Sequence, residues 1–136
     1  MAFWLLKTEP STYSWDDLVR EGSTIWDGIT NPMALKNLRA SAPGDEVLIY
    51  HTAEERRCVG LARITGGPGP DPRSKNPRLA VVRITAGAPL KSPVTLQQIK
   101  ADPFFADWEL VRLSRLSFVP VAERYWKKVL ELSKRA

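Results

Sequence analysis

No internal disulfide can form in this chain, because it has a single cysteine, Cys58. One cysteine also excludes a thiolate zinc cluster, whose ligands come in groups. One histidine, His51, leaves only one imidazole for a hydrolytic relay or a metal site. His51 and Cys58 fall on adjacent arms of one expected hairpin, so their proximity follows from the fold, and a thiol at the start of an apolar strand is ordinarily buried and inert. The glycines form neither a nucleophile elbow nor a phosphate-cradling loop. No apolar stretch approaches the ~20 residues that cross a bilayer. Phe3 to Leu6 is also too short to be the apolar segment of a secretory leader. The reading is a cytoplasmic chain that is not an enzyme, with no cofactor, no metal and no membrane partner.

At 136 residues the chain is long enough for one domain with its own core, and residues 1–136 are read as a single domain. The net charge of +5 hides an asymmetry. Residues 1–68 carry seven Lys/Arg against nine Asp/Glu, whereas residues 69–136 carry thirteen against six. A basic half suits a polyanionic partner, since neutralised phosphate supplies most non-specific nucleic-acid affinity. It equally suits a solvated surface.

Eleven prolines and eight glycines cut the chain into short segments. Phe3 to Lys7 reads as a strand. Ser14 caps a helix that Gly22 stops, and Asn31-Pro32 opens a second helix over Met33 to Ala40. Glu46 to Thr52 and Cys58 to Thr65 read as two strands joined by a charged tip at Glu54-Glu55-Arg56-Arg57, with Gly60 at a bulge or close approach. Gly66 to Pro77 reads as a long loop and Leu79 to Ala86 as a strand. Thr95 caps a short helix, Leu116 to Val119 is a last strand, and Ala122 to Lys134 is a closing helix with an apolar stripe at 3.6 spacing. Strands mixed with short helices and no regular βαβ alternation give an α+β fold.

Five tryptophans are many for this length: Trp4, Trp15, Trp26, Trp108 and Trp126. Trp126 lies on the apolar stripe of the last helix and is a core residue. Trp26 is followed by Asp27-Gly28, which lets backbone approach a ligand closely. A flat base stacked on an aromatic ring gains about 1–3 kcal/mol. Lys7-Thr8-Glu9 puts a donor, a hydroxyl and an acceptor at one strand end, a mixture that can read a Watson–Crick edge or satisfy its own backbone and a Lys7–Glu9 ion pair. Tyr50 and His51 point to opposite faces of their strand. Phe104, Phe105 and Trp108 are either an exposed docking patch or core beneath a loop.

Several of these segments stand in a recognisable order: Trp4-Leu5-x-Lys7-Thr8-Glu9-Pro10, Trp26-Asp27-Gly28, Gly44-Asp45-x-Val47-Leu48-x-Tyr50-His51, Asp71-Pro72 and Arg115-Leu116-Ser117. Together they resemble the EVE domain, a relative of the PUA and YTH modules. The resemblance implies a PUA-like bent β-barrel with flanking short helices and a pocket for a single base, such as a modified cytosine in DNA, with relatives that bind RNA. It places Trp4, Lys7, Thr8, Glu9 and Pro10 on one wall, Trp26, Gly28 and Asn31 on a second, and Tyr50 and His51 on a third, with Leu116 and Ser117 closing the base. Trp26 would stack; Thr8, Glu9 and Asn31 would read polar edges, and Lys7 would hold backbone or a base carbonyl. Lys36, Arg39, Arg73, Lys75 and Arg78 are the expected phosphate contacts of a monomeric protein. The chain departs from the family pattern at Thr30-Asn31, where an Arg-Asn pair is usual, and at Ala34-Leu35, where Ala-Arg is usual. Two cations at the pocket mouth are therefore absent, which keeps a small nucleotide-like ligand, bound or turned over, as the alternative.

Overall fold

The computed structural model describes residues 1–134. Six strands form one sheet: β1 (Phe3–Thr8), β2 (Ser23–Trp26), β3 (Glu46–His51), β4 (Arg57–Pro70), β5 (Ala80–Thr95) and β6 (Phe118–Val121). Their order is β2-β5-β4-β3-β1-β6. Only β1 and β3 run parallel; every other neighbouring pair is antiparallel. Around the sheet lie α1 (Trp15–Glu21), α2 (Pro32–Ala40), α3 (Leu96–Ala101), α4 (Glu109–Arg112) and α5 (Glu123–Lys134). This is the expected PUA-like α+β architecture. The ladder does not close between β2 and β6.

The helices begin where the sequence offers caps. Ser14 and Asp17 form a reciprocal capping box on α1, and Thr95 and Gln98 form another on α3. The Asn31 side chain accepts from the backbone N–H groups of Met33 and Ala34, with Pro32 behind it at the first helical position. Gly22 ends α1 at φ 81°, a conformation that favours glycine.

Two strands run further than expected. Gly66 to Pro70 belongs to β4, not to a loop, and β5 continues from Ala86 to Thr95. The glycines and prolines there mark bulges: the β4–β5 register shifts four times between Cys58 and Gly69. Each bulge bends and twists the ladder, so the glycines and prolines curve the strands without ending them. The last strand is Phe118–Val121 rather than Leu116 to Val119, because pairing with β1 starts at Leu6 opposite Phe118.

One core runs through the molecule, built on Leu5, Leu6, Leu48, Ile49, Ile64, Ile84 and Phe118, all essentially inaccessible. Trp108 and Phe105 are wholly buried and stack with Tyr125 of α5, so that aromatic group is core; only Phe104 is exposed. Trp126 is buried against Phe3. No helix among the described residues is long and apolar enough to cross a membrane.

Candidate nucleobase-binding cleft

β1 and β2 are separated by three strands in the sheet, yet their ends face each other across a cleft of about 570 Å³. The curl of β4 and β5 brings them together. Lys7, Thr8 and Glu9 line one side, and Thr24, Ile25, Trp26, Asp27 and Gly28 the other. Thr12, Tyr13 and Glu21 form the wall between them, and Arg73 reaches in from the loop after β4. Gly28 sits at φ 79° and turns the chain out of β2 towards α2.

The aromatic element of the cleft is a pair. Trp26 is only 7% exposed, and Tyr13 meets its ring edge-on at 6.1 Å with an interplanar angle of 85°. Tyr13 stands just before the α1 N-cap and donates its hydroxyl to the Glu21 carboxylate at the far end of that helix. Burial, and then that bond to Glu21, push the Tyr13 phenol up to about 12, so it stays a neutral donor throughout the physiological range.

The polar groups are held firmly. The Thr8 hydroxyl donates to the Tyr13 carbonyl at 2.7 Å. One Glu9 carboxylate oxygen accepts from the Ser11 N–H and from its hydroxyl. Arg73 pairs with Asp27 at 2.5 Å across the cleft. The Lys7 ammonium donates to the Ser114 carbonyl at 2.9 Å and lies 5.7 Å from the centre of the Tyr50 ring. Burial holds the Lys7 ammonium below the ordinary lysine range. Three carboxylates (Glu9, Glu21, Asp27) thus face two cations (Lys7, Arg73) in the cleft.

Of the twelve binding residues expected from sequence, Lys7, Thr8, Glu9, Trp26 and Gly28 meet here, and Arg73 is the one expected phosphate contact that joins them. The rest are elsewhere. Trp4 is a core residue whose indole N–H is fixed by Asp45 at 2.9 Å. Pro10 lies in the turn after β1 and does not line the cleft. The Asn31 carbonyl oxygen is used up in capping α2. Tyr50 lines a separate, smaller pocket beside Lys7. His51 is buried, with Nε2 accepting from the Trp15 backbone N–H and Nδ1 against Glu55, both at 2.9 Å. Leu116 is buried outside the cleft, and the Ser117 carbonyl accepts from the Lys7 N–H of β1. Lys36 and Lys75 are exposed away from the cleft, while Arg39 and Arg78 border a neighbouring groove with Leu35. The Arg39 guanidinium donates there to the Arg78 carbonyl.

Sequence reading missed Tyr13, Glu21 and Thr24. The signal for Tyr13 was an aromatic residue directly before an N-cap, a position that fixes how the chain enters a helix. Burial pushes the Cys58 thiol up to about 12.

A model of the EVE domain matches residues 2–132 of the chain. A protein of Rhodopseudomonas palustris solved by NMR has a TM-score of 0.94 at 39% identity, with 99% of this chain and 94% of that one covered. Human thymocyte nuclear protein 1 is 27% identical over 97% of this chain and 74% of its own length. The crystal structure of that human protein in complex with DNA containing 5-methylcytosine superposes with a TM-score of 0.91, at 26% identity, over 100% of this chain and 99% of that one.

Proposed function

The chain belongs to the EVE domain family, and from that premise we propose that it is a non-catalytic module that holds one base, a modified cytosine extruded from a DNA strand, in the cleft between β1 and β2. The observation that carries the reading is the composition of that cleft: an aromatic pair, Trp26 with Tyr13, beside fixed carboxylates and one ammonium. Cytosine presents an amino group that donates next to a ring nitrogen and a carbonyl that accept, and a carboxylate is the natural acceptor for the amino group. Glu9 or Glu21 supplies the carboxylate and Lys7 the donor. The aromatic pair supplies the apolar surface for the ring face and for a 5-methyl group. The human relative's complex with 5-methylcytosine DNA supports the choice of base.

The same geometry argues against turnover. Both His51 nitrogens are engaged in the scaffold, and the Cys58 thiol is wholly buried. Neither side chain lines the cleft. A chain of this kind acts as a monomer on its strand, with one base per cleft.

The test is anisotropy of labelled single strands identical except for one cytosine, unmodified or 5-methylated, at two salt concentrations. Saturable binding that is tighter for the modified strand at both salts is the expected result. Equal binding of the two strands, abolished by salt, would reduce the reading to a basic surface.

A further inference from the structure

A second pocket, of about 250 Å³, adjoins the cleft and shares Lys7 with it. Arg56, Lys100 and Lys7 line it together with Tyr50, Thr52 and Ser114, and none of its lining residues is acidic. We propose that Lys7, Arg56 and Lys100 form a phosphate-binding site that grips the backbone of the strand beside the extruded nucleotide. The proposal rests on the base-binding reading for the path of the strand.

Charge decides where the phosphate goes. The base cleft carries three carboxylates against two cations, and one of those cations is already paired with Asp27. A phosphate would be repelled there. In the adjoining pocket three cations converge, and none of them forms an ion pair with a carboxylate among the described residues. Glu54 and Glu55 line a different groove, which Arg56 and Lys100 also border, and the Glu55 partners are His51 and Arg57. The Lys7 ammonium has three N–H donors, and its hydrogen bond to the Ser114 carbonyl uses one. Two remain for a ligand in either cavity. The Thr52 hydroxyl also stands on the wall, with a long contact of 3.4 Å to the Thr8 carbonyl.

The backbone is shaped for this placement. Arg56 sits on the β3–β4 turn at φ 43°, and Ala53 in the same turn at φ 61°. Both are left-handed conformations that non-glycine residues adopt only where the surrounding structure holds them. The surrounding contacts impose them: the Thr52 N–H donates to the Thr8 carbonyl at 3.0 Å, and the Leu96 N–H to the Arg56 carbonyl at 2.8 Å. These bonds tie the turn between the end of β1 and the start of α3, which carries Lys100. A strand whose base enters over Lys7 would therefore lay its adjacent phosphate on Arg56 and Lys100.

The experiment uses the full chain and two probes, an eight-nucleotide single strand with one central 5-methylcytosine and the free nucleoside 5-methyl-2′-deoxycytidine. Arg56→Ala with Lys100→Ala is compared with the charge-matched pair Lys127→Ala and Lys128→Ala on α5. The expected result is about a tenfold loss of strand affinity for the first pair only, with the salt slope falling by about 0.7 per phosphate contact removed. Nucleoside affinity should stay as in the parent protein. Strand affinity unchanged by the first pair, or reduced equally by both pairs, would overturn the phosphate site and leave the base reading intact. A nucleoside that never binds, beside a strand that binds through Arg56 and Lys100, would support the phosphate site and sink the base cleft.

Discussion

The indole of Trp15 occupies the space where residue 60 would carry a side chain: a Cβ placed on Gly60 would lie 2.5 Å from two carbons of the Trp15 ring. The contact joins the first turn of α1 to β4. It cannot relax easily, since Trp15 is buried and its backbone N–H is fixed by His51. Gly60 also lies between two register shifts of the β4–β5 ladder. Gly60→Ala should therefore destabilise the fold by about 1–3 kcal/mol, as overpacking does. Chemical denaturation at neutral pH would show it as a lower midpoint at unchanged slope.

Asp45 gives the fold an acid limit. Burial works against its ionisation, but the Ala2 N–H, the Trp4 indole and the Ala42 N–H all donate to its carboxylate at 2.9–3.0 Å and hold its pKa below the ordinary value. A group depressed in the folded state contributes stability above its unfolded pKa of about 3.9, and that stability is lost as pH falls through the folded value. Asp45→Asn should thus lower stability at pH 7 by about 1.5–3 kcal/mol, the range for hydrogen bonds to charged groups. The loss should shrink as the pH is taken below 4. A thermal melt series from pH 7 to pH 3 reads both effects, and a constant difference between the two proteins would contradict the assignment.

The sequence exposed this site wherever the signal was local. Lys7-Thr8-Glu9 ends a strand on polar groups and Trp26-Asp27-Gly28 puts a turn after an aromatic, and the structure brings both to one cleft. Glu21 and Thr24 were out of reach because they join the cleft through the direction of α1 and the curl of two long strands, whereas Tyr13 carried a local signal as the aromatic before the α1 N-cap. That curl was itself hidden, since Gly66, Gly67, Pro68, Gly69 and Pro70 look like loop in a linear reading and act as bulged strand once paired with β5. Asn31 does not line the cleft: its cap role was legible in the sequence, and its side-chain oxygen accepts from the Met33 and Ala34 N–H groups. Trp4 was placed on the pocket wall, but its strand neighbours are core and its one polar atom points at Asp45.

His51 is tied into the scaffold on both sides of its ring. Its ring joins Trp15 of α1 to Glu55 of the β3–β4 turn, so its loss leaves a buried N–H unpaired. His51→Ala should cost about 1–3 kcal/mol of stability. Affinity for a modified-cytosine strand should stay within about twofold of the parent when measured well below the melting point, because the ring does not reach the cleft. A tenfold loss of affinity in a protein still fully folded would show that His51 contacts the ligand.

The aromatic pair makes a sharper demand, because the two rings contribute differently. Trp26 is almost covered, and the Tyr13 ring packs perpendicular to it at 6.1 Å. The Tyr13 position is in turn fixed by its hydroxyl bond to Glu21. Tyr13→Phe keeps the ring and removes that bond, leaving the Glu21 carboxylate free to accept from a ligand amino group. Tyr13→Ala removes the ring that packs against Trp26 and one lining group of the cleft. If the base packs against both rings, Tyr13→Ala and Trp26→Ala should each cost about 1–3 kcal/mol of binding, the value of one stacking partner, or roughly 5- to 150-fold in affinity. Tyr13→Phe should change affinity far less. If Tyr13 only shields Trp26 from water and swings away when the base enters, Tyr13→Ala should instead bind as well as the parent or better, and Trp26→Ala alone should lose the ligand. Calorimetric titration of the three variants with one 5-methylcytosine strand distinguishes the two geometries. Unchanged affinity in both alanine variants would place the base outside this cleft.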